Sequence, residues 1–236
     1  YAKDMGTPER YRSVCEAFHY GKVQAKNLCN KQKAVFLDRD GTINKYVGFL
    51  RDIDDFELLP GAADAIRKIN ESGYLAIVVT NQPVIARGEV TLEQLQQIHN
   101  KMETLLGREG AYVDGIYFCP HHPHKGYPGE IPELKIECEC RKPKAGMLFE
   151  AAKDFNIDLS QSFMVGDSET DVQCGINGGC TPLLLTKRAA DGGHYGSLLD
   201  FLGQRLGKKI ALWGLVWGIE KLNKQQRKKI LLEVAL

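Results

Sequence analysis

Apolar and polar residues fall along this chain in blocks whose period changes in a regular order. Ala34-Val35-Phe36-Leu37 is a continuous apolar run of strand length, with the composition of a strand buried on both faces. Pro60-Gly61 then opens a stretch to about Ser72 in which Ala62, Ala65, Ile66 and Ile69 share one helical face, and Gly73 ends it. Tyr74–Thr80 is a second β-rich run. Thr91 caps a long predicted helix, with Glu89 and Glu93 as acidic support and Leu92, Leu95, Ile98, Met102 and Leu105 at helical spacing. Gly115–Cys119, Ser162–Val165 and Thr181–Leu185 read as strands, and Ala145–Phe155 and Thr170–Asn177 as helices. Strands alternating with helices predict βαβ units and a mostly parallel sheet, the α/β class.

The interruptions are as informative as the elements. Between Asp40 and Thr80 there is one helix and a short polar loop, which leaves no room for a separate cap domain. The long irregular segment runs from about Pro120 to Lys144, and loops of that length are commonly functional. Residues 191–236 are harder to read. Ser197–Leu206 has the pattern of a closing helix, Ile210–Ile219 is apolar with Trp213 and Trp217 four apart, and Lys221–Lys229 is basic before Ile230-Leu231-Leu232. The apolar stretch is too short to span a bilayer. A packed helix or a piece of another domain is preferred to an interfacial helix or a subunit contact.

Candidate chemistry gathers where the strands end. Asp38-Arg39-Asp40-Gly41-Thr42 follows the first strand, so two carboxylates sit at the carboxyl edge of the sheet, where open α/β folds bind ligands. Like charges this close raise each other's pKa unless a cation neutralises them. One carboxylate can then serve as nucleophile and the other as acid/base. Taken alone, a solvated acidic turn explains the motif about as well. A second cluster is Cys119-Pro120-His121 with Cys138-Glu139-Cys140. Three thiolates and an imidazole suit tetrahedral Zn2+, and four protein ligands leave no open position, so the site is expected to be structural. His122 and His124 compete for the imidazole place, but in an extended chain His122 points away from ligands set two apart. Free surface cysteines are the bland alternative, and a poor one.

Asp38-x-Asp40-Gly41-Thr42, then Thr80-Asn81, then Arg141-Lys142-Pro143, then Gly166-Asp167-x-x-x-Asp171 is an order that resembles the haloacid dehalogenase-like (HAD) phosphatase superfamily. With the zinc loop included, residues 33–190 resemble the HAD subfamily that holds the heptose-bisphosphate phosphatases and the histidinol-phosphatase domain. The resemblance implies a three-layer Rossmann-like fold and Mg2+-dependent hydrolysis of a phosphomonoester through an aspartyl phosphate, removing the C7 phosphate of a heptose 1,7-bisphosphate. It implies Asp38 as nucleophile, Asp40 as acid/base, and Asp38, the Asp40 carbonyl and Asp167 as Mg2+ ligands. Asp171 would orient Asp167 or a ligand water. Thr80 and Lys142 would contact the transferring phosphoryl group, Asn81 would orient the substrate, Arg141 would meet the distal phosphate, and Arg87 would line the pocket. Strand-to-turn caps at Thr80 and Asn81 and a solvated Lys142 are the ordinary readings of those residues in isolation. Two positions depart from the subfamily. Pro83-Val84 stand where Ser-Gly is usual, and Ser168 stands where some heptose enzymes carry Lys.

Residues 1–30 resemble the C-terminal end of a sugar nucleotidyltransferase catalytic domain, through Asp4-Met5-Gly6-Thr7-Pro8-Glu9-Arg10-Tyr11; a plain capped helix, Thr7 then Pro8, carries equal weight. With the start at Tyr1 rather than Met, the resemblance predicts a fragment of a two-activity protein. The expected organisation is 1–30 remnant or linker, 31–190 phosphatase and 191–236 extension.

Composition narrows the partners. The 236 residues are 43% hydrophobic and 26% charged with net charge +1, so nothing favours nucleic acid or an anionic membrane, and a small phosphorylated sugar remains. Seven cysteines, three of them clustered with histidines, suit metal binding in a reducing cytoplasm better than a disulfide framework. Histidinol phosphatase would use the same residues on a cationic substrate, against which Arg141 and Arg87 speak. A polynucleotide 3′-phosphatase would want a basic groove. A non-catalytic zinc-stabilised module would not need Asp38, Asp40, Lys142 and Asp167 together.

Overall fold

The computed structural model describes residues 6–19, 21–185 and 194–195. Two N-terminal helices, α1 (Pro8–His19) and α2 (Lys22–Ala25), precede the sheet. The Thr7 hydroxyl accepts from Arg10 N at 3.3 Å ahead of Pro8, as the capped-helix reading requires. Strands β1 (Ala34–Leu37), β2 (Leu75–Asn81), β3 (Gly115–Cys119), β4 (Phe163–Gly166), β5 (Thr181–Leu185) and β6 (His194–Tyr195) form one sheet in the order β3-β2-β1-β4-β5-β6. Every pairing is parallel, so the mostly parallel expectation understates the case. β6 pairs with β5 past residue 190, where the sequence pattern marks no strand.

The connections are helical: α3 (Ala62–Glu71), α4 (Pro83–Ala86), α5 (Leu92–Arg108), α6 (Gly146–Asp154) and α7 (Glu169–Gly178). Side-chain alternation along β1 divides the core. Val35 and Leu37 pack with Ile66, Ile69, Ile98 and Met102 of α3 and α5. Ala34 and Phe36 pack with Leu148, Ala151 and Cys174 of α6 and α7. This is a three-layer α/β/α arrangement with no cap domain between β1 and β2, as expected from the sequence.

Helix α5 carries one correction. Thr91 caps it through a reciprocal box with Gln94, and Glu93 lies in its first turn. Leu92, placed on the buried face by spacing, is 59% exposed. The buried face runs through Leu95, Ile98, His99, Met102 and Leu106, so Leu92 lies one turn before the helix meets the sheet. Segments 197–206, 210–219 and 221–232 lie outside the described residues, and among those described no helix is long and apolar enough to cross a membrane.

Strand order reverses between β1 and β4, the two centre strands. Open α/β sheets leave a crevice at the carboxyl ends of the strands that flank such a reversal. Asp38 follows β1 and Asp167 follows β4, so the sheet itself brings these carboxylates to one place. Phe36 lies at the centre of the sheet with no exposed surface. Phe36→Ala should cost about 3–5 kcal/mol of unfolding free energy through the cavity it leaves. Urea denaturation at equilibrium measures this, with the midpoint moving and the slope unchanged.

Candidate active site

The site is built around a buried lysine. Lys142 Nζ lies 2.8 Å from Asp38 Oδ1 and 2.6 Å from Asp171 Oδ1, and Lys142 is almost wholly buried. Burial works against its charge, but Asp38 and Asp171 outweigh it and hold the ammonium pKa above the ordinary lysine value. Burial pushes the Asp38 pKa up to about 7; Lys142 opposes this and the charges of Asp171 and Asp40 add to it. Burial and the charge of Asp171 raise Asp167 also.

Carboxylate oxygens of Asp38, Asp167 and Asp171 all lie within 4.8 Å of one another. Two glycines permit the approach. At Gly41, φ is +86°, and a Cβ there would fall on the Asp167 carboxylate. A Cβ on Gly166 would fall on the Asp171 side chain. Three carboxylates around one ammonium leave excess negative charge, and hard oxygen donors suit Mg2+. Asp171, expected to orient Asp167 or a ligand water, also accepts through its second oxygen from Ser168 N at 3.2 Å and Ser168 Oγ at 2.5 Å, so it caps α7 and anchors Lys142.

Asp40 turns away from this group. Its oxygens accept from Arg39, in a fork of 3.0 and 2.8 Å, from Asn44 Nδ2 at 2.9 Å and from Gln82 Nε2 at 2.9 Å. A proton on Asp40 therefore needs one of these donors to turn aside. Arg39 is fully buried and its other arm meets His99 Nε2 at 3.3 Å. Burial, reinforced by Arg39, lowers the His99 pKa to about 4, so the ring meets Arg39 neutral. Gln82 also donates to Thr80 Oγ1 at 2.9 Å, which links the predicted phosphoryl contact to Asp40. The sequence assigned no role to Arg39, Asn44, Gln82 or His99; the first three gave only a position inside or beside a motif, and His99, within α5, gave none.

Asn81 was expected to orient substrate. Its side chain brackets the backbone of Lys142: Asn81 Oδ1 accepts from Lys142 N at 3.0 Å, and Asn81 Nδ2 donates to Lys142 O at 3.1 Å. The peptide that follows, Lys142-Pro143, is cis. Arg141 Nη1 donates to the His121 carbonyl at 3.1 Å, on the zinc-loop side of the site.

Sulfur atoms of Cys119, Cys138 and Cys140 lie 3.1 to 3.5 Å apart, and His121 Nδ1 is 3.3 Å from Cys140 Sγ. The four ligand atoms fall within 4.8 Å of one another. Burial raises the thiol pKa of Cys119 and of Cys140, so adjacent thiolates here call for a cation, and the soft donor set fits Zn2+. His122 faces away, as alternation predicted, with Nε2 3.4 Å from Arg87 Nη2. Arg87, expected to line the pocket, is itself buried, with its guanidinium 4.0 Å from the Phe49 ring centroid and 4.4 Å from that of Tyr127.

A family model described as HAD-hydrolase-like matches residues 139–193. Over 143 residues the chain is 46% identical to the D-glycero-beta-D-manno-heptose-1,7-bisphosphate 7-phosphatase of Yersinia pestis, covering 61% of this chain and 74% of that one. The enzyme of the same name from Escherichia coli K12 is 43% identical over 143 residues, covering 61% and 73%. The chain belongs to this family of HAD phosphatases.

Among solved structures, D,D-heptose 1,7-bisphosphate phosphatase from B. bronchiseptica, complexed with magnesium and phosphate, superposes with a TM-score of 0.64 at 31% identity over 75% of this chain and 99% of that one. The unusual Pro83-Val84 of this HAD phosphatase is absorbed by α4, which Pro83 opens and whose four residues are all buried. Ser168 is absorbed as the cap of α7.

With Asp38 serving as a cation ligand, protons would compete with the ion for it, so Mg2+ affinity should rise with pH through about 7. Between pH 6 and pH 8 the expected gain is roughly tenfold, the change in the ionised fraction of one such group. Titration calorimetry in two buffers of different ionisation enthalpy reads both the affinity and the proton released.

Proposed function

We propose that this phosphatase removes the C7 phosphate of D-glycero-beta-D-manno-heptose 1,7-bisphosphate in the making of nucleotide-activated heptose. The observation that carries the reading is the joining of Asp38, Asp167 and Lys142 at the sheet reversal with Arg141 adjacent, in a chain 46% identical to enzymes of that name. Residues 31–190 are the proposed phosphatase unit, and the cytoplasm is its proposed place because three of the seven cysteines gather with His121 in one metal-type cluster, as suits a reducing compartment.

Asp38 attacks phosphorus, the bond from phosphorus to the C7 oxygen breaks, and Asp40 gives its proton to the departing alkoxide. Asp40 then takes a proton from water, which attacks the acyl phosphate and releases inorganic phosphate and free Asp38. Lys142 holds Asp38 in place and offsets charge on the phosphoryl oxygens, with Thr80 as a neutral donor. Asp38, the Asp40 carbonyl and Asp167 would hold Mg2+, which when bound offsets the repulsion between carboxylate and phosphate. Cys119, His121, Cys138 and Cys140 would hold Zn2+, which pins the loop that ends at Arg141. Arg141 is the proposed contact to the distal phosphate, and its charge disfavours a cationic substrate such as histidinol phosphate. Fusion or association with a sugar nucleotidyltransferase would place a consumer of the product beside this enzyme.

Asp38→Asn should abolish Mg2+-dependent phosphate release; full activity in that variant rules out the aspartyl phosphate. Arg141→Ala should lower kcat/KM for the bisphosphate by about 2–4 kcal/mol of transition-state binding and narrow the preference over histidinol phosphate. Faster turnover of histidinol phosphate by the unaltered enzyme would overturn the substrate assignment. Elemental analysis should find one zinc per chain, lost in the Cys138→Ser/Cys140→Ser double variant together with most activity.

A further inference from the structure

We infer that Arg87 is a positioning residue that ties three loops into one rim around the site and through them orients Arg141. Its guanidinium carbon lies over two rings at once, 4.0 Å from the centroid of Phe49, in the segment after the Asp38 motif, and 4.4 Å from that of Tyr127, in the cysteine-bearing loop. Arg87 itself comes from the turn after α4. A planar, delocalised cation presents both faces to rings as no ammonium can, so the stack depends on arginine and not on charge alone. A guanidinium packed against two rings with little exposed surface is poorly placed to wrap a substrate phosphate.

The same loops approach each other independently of Arg87. Ile131 N donates to Ala86 O at 3.0 Å. A Cβ on Gly88, where φ is +69°, would fall on the Gly129 carbonyl. The turn after α4 and the middle of the zinc loop are thus in backbone contact, and Arg87 adds the third loop through Phe49. The link onward to Arg141 is short. Arg87 Nη2 lies 3.4 Å from His122 Nε2, and the preceding carbonyl, that of His121, accepts from Arg141 Nη1 at 3.1 Å. Fixing His122 fixes the carbonyl that aims Arg141.

The inference rests on the reading of Arg141 as the distal-phosphate contact, and the test separates the two. Kinetics are measured on the heptose 1,7-bisphosphate and on the same sugar carrying only the C7 phosphate. Arg87→Lys keeps the charge and removes the plane. It should lower kcat/KM for the bisphosphate about tenfold more than for the monophosphate, chiefly through KM, as a displaced binding group does. Phe49→Leu and Tyr127→Leu leave Arg87 intact and should move the same ratio in the same direction, with zinc content unchanged. In an Arg141→Ala background, Arg87→Lys should have no further effect on the ratio. Fully multiplicative effects of Arg87→Lys and Arg141→Ala, with the ring variants at the wild-type ratio, would overturn the inference in favour of direct contact between Arg87 and phosphate. An Arg141→Ala enzyme with an unchanged ratio would remove the reading of Arg141. The tie is then judged by amide exchange in the unliganded enzyme: faster exchange over 45–51 and 122–135 in Arg87→Lys upholds it, and unchanged exchange refutes it.

Discussion

Lys142 is the constraint on which the site depends. A buried ammonium is tolerable only with opposite charge beside it, which Asp38 supplies from the end of β1 and Asp171 from the first turn of α7, the helix that follows β4. The contact therefore fixes the spacing of β1 and β4 at their carboxyl edge as well as the direction of the candidate nucleophile. The same lysine is gripped by its backbone from β2 through Asn81, so three of the four central strands meet at one residue.

A second grip acts on the acid/base candidate. Arg39, Asn44 and Gln82 saturate Asp40, and Arg39 in turn leans on the neutral ring of His99 from α5. The two carboxylates of the motif are thus treated oppositely, although they are two residues apart. Asp38 faces a lysine and further carboxylates, while Asp40 faces donors only. That division of environments is what a nucleophile and a proton carrier need in order to differ.

Much of this was legible in the sequence because it rests on local signals. The apolar run before Asp38, the Thr91 cap and the glycine after α3 are short-range features, and each element they predicted is present. The four zinc candidates were legible because cysteines in pairs set two apart have few other uses. What escaped depends on contacts across the sheet. Nothing near Gln82 or His99 in the sequence says that they meet Asp40 and Arg39, since those partners lie some forty to sixty residues away along the chain. Asn81 and Asp171 were recognised as motif residues, yet their observed bonds go to Lys142, whose position only the folded sheet defines. Leu92 had the right spacing but lies before α5 reaches the core.

The cysteine-bearing loop leaves β3 at Cys119 and returns at Cys138, so its two ends are joined at one four-atom cluster while the chain between them stands free of the sheet. Such a clasp separates two jobs. The cluster and the turn that follows keep Lys142 in register whatever the excursion between them does. Changes within residues 123–137 would then act on the rim contacts of Tyr127 and Ile131 rather than on Lys142 itself. In an enzyme with no cap domain, this is where the choice of leaving group can drift while the reaction stays the same.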